Sequence, residues 1–267
     1  MVPLSAVIIT LNEEKNLPDA LESVRFCDEV VVVDAGSTDA TRALAEGAGA
    51  RVVTSAPWPG FVAQRNRAVD EARHDWVLAV DADERVTPAL RDAILAERAR
   101  GFGRAGYRVR RLARYLDRWI RGTDWYPDPQ LRLFDRRLGR WEGSLVHESV
   151  KVRGPVGTLE ADLTHFPYDD IADHMRTIDA YTTLWARQAA ADGQRARTLT
   201  PLMACAWAFF RNYVVRRGFI LGEAGLTVSV LNSYYTYAKL AKLQEIARGG
   251  EAAEALARAR PDAPPAA

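Results

Sequence analysis

Apolar positions along the first hundred residues follow two alternating rhythms. Leu4 to Thr10 is a β-rich apolar run, and after Asn12 and Glu13 the segment Glu14 to Val24 places Leu17, Leu21 and Val24 at helical spacing. Glu29 to Asp34 repeats the strand signal with consecutive valines, and Thr38 to Glu46 then reads as a helix with Ser37 at its N-cap, stopped by Gly47 and Gly49. Arg51 to Thr54 is a third strand, Phe61 to Ala72 a helix, and Asp75 to Val80 a fourth strand ending at Asp81. Thr87 caps a helix running to Arg98, with Pro88 in its first turn. Apolar runs that alternate with helices and lack hairpin turns predict a parallel sheet covered on both faces. Such sheets bind ligands beyond the carboxyl ends of their strands. Three polar clusters fall there: Thr10 to Glu13, Asp34 to Asp39, and Asp81 to Glu84.

Beyond Gly101 the pattern changes to short strands and loops, the clearest being Gly106 to Arg111 and Gln130 to Phe134. From Asp170 it turns helical again, with Ile171, Met175, Ile178, Tyr181 and Trp185 on one stripe. Leu202 to Phe210 is uninterruptedly apolar but far shorter than the roughly 20 residues needed to span a bilayer. Residues 249–267, rich in Ala, Pro and Gly, are expected to be a disordered tail.

Composition narrows the class. The chain has 267 residues, 48% of them hydrophobic, enough to bury a core and to exclude a wholly disordered chain. Thirty-six basic residues against 35 acidic ones give a net charge of +1, which argues against a nucleic-acid binder. The sum hides a basic middle: residues 100–140 hold twelve arginines and four aspartates. A solvated surface and an anionic acceptor site are equally good readings of that stretch. Cys27 and Cys205 are too few and too far apart for a disulfide framework or a cysteine zinc site, and the N-terminal stretch lacks the marks of a signal peptide, so a cytoplasmic location is expected.

The chemistry gathers at the strand ends. Asp81-Ala82-Asp83 presents two carboxylates on a tight turn, and a hard divalent cation carrying a diphosphate needs no more than one or two of them. Alone the tripeptide reads equally as a solvated turn; its strand context and the other two clusters favour a ligand. In the segment Val30 to Asp39, Asp34 is placed to accept hydrogen bonds from a ribose or base, and Gly36 admits a close backbone approach. Ser37 and Asp39 are read as helix caps, and Asn12 can serve as a cap or as a ligand contact.

Leu4 to Glu14, the VVVDAGSTD segment and the DAD triplet, in that order, resemble the nucleotide-sugar-binding half of family 2 glycosyltransferases, which have the GT-A fold. The segments Tyr126 to Phe134, Trp141-Glu142-Gly143 and Val146-His147-Glu148 resemble the bacterial subgroup related to lipopolysaccharide core glucosyltransferases. Ala35 stands where most of the family has a second aspartate, so the nucleoside contact is placed on Asp34 alone. The resemblance implies an α/β GT-A (Rossmann-like) domain over residues 1–168 with a mostly parallel sheet flanked by helices. Residues 1–100 would bind the nucleotide sugar and 101–168 the acceptor. A helical, membrane-associating extension over 169–248 would follow.

The implied activity is sugar transfer from a nucleoside diphosphate, UDP with glucose being the family-weighted choice, with inversion at the anomeric carbon. Charge developing on the departing diphosphate must be neutralised, which implies Mg²⁺ or Mn²⁺ on Asp83, with His165 as a further metal ligand or diphosphate contact. Thr10, Asn12, Glu13, Asp34, Arg65 and Asp81 are the implied donor-binding residues. The acceptor hydroxyl needs a carboxylate to take its proton, for which Glu148 is first choice and Asp128 second. The competing reading of Glu148 is a surface ion pair with one of the nearby arginines. Gln130 and Arg132 share a face of their strand, where Arg132 can grip a phosphate or acceptor anion. His147 orients Glu148, contacts phosphate, or packs.

The mixture of Trp207, Phe209, Phe210, Arg211, Tyr213, Arg216, Arg217 and Phe219, with no acid adjacent in sequence, suits a membrane interface, although a core helix pair or a dimer interface would look similar. With the resemblance, it implies a lipid-linked saccharide acceptor and a peripheral position at the inner face of the inner membrane. Two other classes stand beside this one: a transferase onto polyprenyl phosphate, which needs no strong base, and a non-catalytic membrane-associated binding protein, which would have lost its strand-end acids. The absence of G-x-G-x-x-G after the first strand and of a P-loop segment argues against a dehydrogenase and a P-loop nucleotidase.

Overall fold

The computed structural model describes residues 1–144 and 147–249, the side chains of Ser144 and His147 excepted. The expected tail beyond residue 249 lies outside the described residues. The described residues form two compact units, the first made of Met1–Leu112 and Asp128–Phe166, the second of Ala113–Pro127 and residues 167–249.

The first unit begins with β1 (Leu4–Thr10), α1 (Leu17–Ser23), β2 (Glu29–Asp34), α2 (Thr41–Gly47), β3 (Arg51–Thr54), α3 (Phe61–Glu71) and β4 (Trp76–Ala79). The four strands lie in the order β3-β2-β1-β4, all parallel. Alternate side chains explain the unbroken apolar runs. Leu4, Ala6, Ile8, Val32 and Leu78 enter the core beneath α1, whereas Val7, Val31, Val33, Val77 and Ala79 pack with Ala68 and Val69 of α3 on the other face. Both helices after the first strands start later than the periodicity predicts. Asn12 adopts φ 57° and does not cap α1, and α2 starts at Thr41, not at Thr38. The intervening residues are held in loops at the sheet edge.

The rest of the unit is β5 (Glu84–Val86), α4 (Pro88–Ala99), β6 (Gly106–Tyr115, its last residues belonging to the second unit), β7 (Arg118–Trp119, in the second unit), β8 (Asp128–Asp135), β9 (Gly139–Ser144), β10 (His147–Val152) and β11 (Val156–His165). Thr87 caps α4 as read, its Oγ1 accepting from Leu90 N at 3.2 Å. The sheet continues from β4 through β8, β6, β11 and β5, while β9 and β10 form a separate hairpin. Here β8 joins β4 and β6 antiparallel, as β5 joins β11. With parallel pairs among the first four strands and these antiparallel ones beyond them, the whole sheet is mixed.

The second unit carries α5 (Ile171–Ala191), α6 (Thr200–Phe210, continued by a wide π turn to Val215) and α7 (Gly222–Arg248). Asp170 caps α5 by accepting from Asp173 N at 2.7 Å. Tyr115, Ile120, Ile178, Ala224, Val228 and Leu231 form its core. Beside them, buried His174 stacks on Tyr168 at 4.0 Å with Nδ1 3.0 Å from the Tyr115 hydroxyl, and burial pushes its imidazole down to about 4. At the start of α7 only a glycine fits at position 225, since a Cβ there would stand 1.9 Å from the Gly218 carbonyl oxygen. No helix among the described residues is long and apolar enough to cross a membrane.

Candidate active site

The loops that follow β1, β2 and β4 leave the same edge of the sheet, since Thr10 pairs with Asp34 and Val7 with both Val31 and Ala79. Asp34 is buried and organises two of these loops. Its Oδ1 accepts from Gly36 N at 3.0 Å and Ser37 N at 2.9 Å, and its Oδ2 from Thr10 Oγ1 at 3.1 Å and from the Ser37 hydroxyl. What Asp34 and Thr10 offer a ligand is thus the shape of the loop, with Gly36 at φ 100°. Ser37 works within the loop and not as the cap of α2, while Asp39 accepts from Thr41 N at the helix start, at 3.0 Å. Asn12 clasps the two loops together: its amide N donates to Ser37 Oγ at 2.8 Å and its Oδ1 accepts from Thr38 N at 2.9 Å.

Glu13 is buried beside them, accepting from Asn16 Nδ2 at 3.0 Å. Burial, reinforced by Asp83 and Asp39, pushes its carboxyl up to about 7.

The turn after β4 holds two aspartates in opposite situations. Asp81 is fully engaged: Arg65 of α3 grips both of its oxygens and Arg132 of β8 donates to Oδ2 at 2.7 Å. Burial opposes its charge, but the Arg132 and Arg65 guanidiniums prevail and hold the carboxyl well below the usual carboxylate range. Arg132 also donates to the buried Glu84 at 2.5 Å, and Glu84 in turn accepts from Asp81 N at 3.0 Å. Strand alternation turns Arg132 toward the site, where one guanidinium nitrogen serves Asp81 and Glu84 while Nε is buried with no hydrogen-bond partner.

Asp83 differs. Its Oδ2 lies 2.9 Å from His165 Nε2, while its Oδ1 is buried with no hydrogen-bond partner. Antiparallel pairing of β11 with β5, His165 opposite Glu84, is what brings the histidine there. An unsatisfied buried carboxylate oxygen next to an imidazole is a donor set that fits a divalent cation. Among the described residues no third His, Cys, Asp or Glu joins it, so further ligands would have to come from substrate phosphates and water.

Glu148, on β10, sits beside this cluster with Oε1 3.8 Å from Arg65 Nε. The Arg65 guanidinium lies over the Trp141 ring at 4.5 Å, and that of Arg132 lies over the same ring at 5.8 Å. Asp128 is occupied: Arg111 donates to its Oδ2 from Nε at 2.8 Å, and Gln130 donates to its Oδ1 at 2.6 Å. Asp128, held by Gln130, therefore neutralises and fixes Arg111. His147 lies outside the residues whose side chains are described.

Arg111 lies beside these residues without having been singled out by sequence reasoning, and Glu84 and Trp141, seen there only as members of a cluster and a motif, had been given no role. Glu84 had a signal: a third acid directly after Asp81-Ala82-Asp83 at a buried sheet edge demands cations from elsewhere. The carboxylates Asp81, Asp83, Glu84, Asp128 and Glu148 gather here with the guanidiniums of Arg65, Arg111 and Arg132, and Arg85 adds its charge beside Asp83.

Residues 5–149 match the sequence profile of glycosyl transferase family 2. The chain is 32% identical over 259 residues to the lipopolysaccharide core biosynthesis glycosyltransferase LpsC of Rhizobium meliloti (strain 1021), covering 91% of this chain and 93% of that protein. It is 28% identical over 256 residues to an uncharacterised glycosyltransferase of Rickettsia bellii (strain RML369-C), covering 91% and 86%. Among solved structures, glucosyl-3-phosphoglycerate synthase from Mycobacterium tuberculosis, in complex with Mn²⁺, UDP and glucosyl-3-phosphoglycerate, superposes over 73% of this chain and 81% of its own at 17% identity, with a TM-score of 0.47.

Proposed function

Because the chain belongs to glycosyl transferase family 2 and has its GT-A fold, we propose that it is an inverting, metal-dependent enzyme moving glucose from UDP onto lipopolysaccharide core or a similar lipid-linked glycan. The single observation that carries the metal-dependent part is Asp83, whose buried Oδ1 has no partner while Oδ2 meets His165. These two residues would hold Mg²⁺ or Mn²⁺, which supplies positive charge for the departing diphosphate. Likeness to LpsC over nearly the full length supports a core-type acceptor, and the proposal places the enzyme at the inner face of the inner membrane, where such an acceptor would be met.

In this reading the protein's residues divide the work. The loop ordered by Asp34, Thr10 and Asn12 receives the nucleoside, and Arg65 with Asp81 forms a rigid wall on the donor side. Glu148 takes the proton of the acceptor hydroxyl as the new bond forms, with the Arg65 guanidinium fixing its position. Transfer onto polyprenyl phosphate would need no such base, so Glu148→Gln separates the two acceptors: a collapse of turnover with donor binding intact supports the hydroxyl acceptor, and near-normal turnover sinks it. The broader test is hydrolysis of a panel of nucleotide sugars by the purified protein with Mn²⁺. Slow release of UDP from UDP-glucose, lost in chelator and in Asp83→Ala, is expected; release undiminished by chelator refutes the metal.

A further inference from the structure

From Gly193 to Gly222 the chain contains no Asp or Glu and five arginines, at positions 195, 197, 211, 216 and 217, all exposed. The apolar helix α6 lies within this stretch and is turned inside out. Its buried positions are the small or compact Pro201 and Ala208, whereas Leu202, Met203, Trp207 and Phe210 face outward, Met203 at 69% and Trp207 at 59% exposure. A helix of an ordinary soluble unit does the reverse. Leu199, Met203, Trp207, Phe210 and Val214 repeat at steps of three and four along one side, and the turn beyond adds Phe219 and Ile220, the latter 61% exposed.

Asp124 braces that turn. It accepts from Asn212 Nδ2 at 2.8 Å and from Arg211, and Arg216 Nε lies 3.8 Å away. The absence of an acid near these arginines in sequence is thus made good in part by one from another segment. Arg195, Arg197 and Arg217 have no acidic partner among the described residues.

We infer that α6 and the turn after it form a docking element for an anionic lipid surface, lying in the plane of the interface. Large apolar side chains that face outward, with cations at both ends of the helix, match acyl chains beneath phosphate headgroups. Eleven helical residues are too few to span the roughly 20-residue apolar layer, so the element rests in the interface. A second copy of this chain is the poorer occupant, because self-pairing across a two-fold axis would bring together two surfaces that each carry the unpaired Arg195, Arg197 and Arg217. The inference rests on the lipid-linked acceptor proposed above for its purpose, but lipid binding itself needs no sugar.

The test is cosedimentation of the full-length protein with vesicles of phosphatidylcholine alone and of phosphatidylcholine with phosphatidylglycerol. Partition onto the anionic vesicles, weakened by salt, is expected, with little onto the neutral ones. Replacing Arg195, Arg197 and Arg217 by Gln should lower it about fivefold per charge removed. Trp207→Ser with Ile220→Ser should lower it further, while the unfolding transition stays in place. Equal partition onto both vesicle types overturns the inference, as does a tight dimer in sedimentation velocity that Trp207→Ser dissolves. UDP release without vesicle binding sinks the docking element alone; vesicle binding without release from any nucleotide sugar sinks only the enzymatic reading.

Discussion

Two arginine-rich stretches of this chain look alike as charge sums and behave oppositely. In the stretch around β6 to β9, the guanidiniums find acids distant in sequence. Arg110 meets Glu160 and Asp162 at 2.8 and 3.2 Å, Arg132 meets Asp81 and Glu84, Arg137 meets Asp75 at 3.0 Å, and Arg140 meets Asp70 at 2.5 Å. The excess positive charge of residues 100–140 is largely an artefact of where that window ends. From Gly193 to Gly222 Asp124 is the one acid among the described residues that comes to meet the arginines, and the rest keep their charge for what lies outside. A net charge read along the chain becomes a surface property only after the sheet has chosen each cation's partner.

The deepest pairs should be the most sensitive. Arg132→Met leaves the buried Glu84 with only Arg111, 3.6 Å away, and Asp81 with Arg65 alone, and should cost about 3 kcal/mol in denaturant unfolding. A cost below 1 kcal/mol would mean that Arg65 and Arg111 suffice for the two acids. Asp83→Asn, at the neighbouring but unsatisfied carboxylate, should leave unfolding nearly unchanged yet lower Mn²⁺-supported turnover more than a hundredfold, roughly 3 kcal/mol of transition-state stabilisation.

Next comes pH, where the two units should respond in opposite directions. Glu13 has its folded value raised from 4.5 to about 7, so its contribution is full below pH 4.5 and is lost as pH rises toward 7. His174 has its folded value lowered from 6.5 to about 4, so its contribution is full above pH 6.5 and is lost as pH falls toward 4. Each amounts to about 3 kcal/mol across its window. Glu13→Gln should therefore flatten the slope of the first unit and His174→Gln that of the second, as read by amide hydrogen exchange in each. The smallest effect belongs to the solvated pairs: Arg140→Gln, opposite Asp70, should change stability by less than about 1 kcal/mol.

How far the fold was legible follows from how local its determinants are. The first four strands and the helices between them were readable because valine and isoleucine runs buried on both faces announce themselves over five or six residues. Strand β5 was not, since Glu84–Val86 is three residues long, carries two charges, and exists only by pairing with β11. The same distinction runs through the site. Asp81, Asp83 and Asp34 were visible from strand-end position. That Asp81 would be locked and Asp83 left with a free oxygen depends on Arg65, Arg132 and His165, which arrive from a helix and two antiparallel strands. The helix caps at Asn12 and Ser37 were misread because both side chains find better partners in the adjoining loop than at a helix end.

The pairing of β4 with β8 and of β5 with β11 also sets an order in time. During synthesis Asp81 emerges 51 residues before Arg132, and Asp83 emerges 82 residues before His165. At about 5–20 residues per second, the turn that holds these acids waits roughly 4–16 s for its last partner. Until then it is a loop of like charges on an unfinished sheet edge. The amino-terminal strands can collapse early, but the reactive end of the sheet is assembled only when the chain comes back to it.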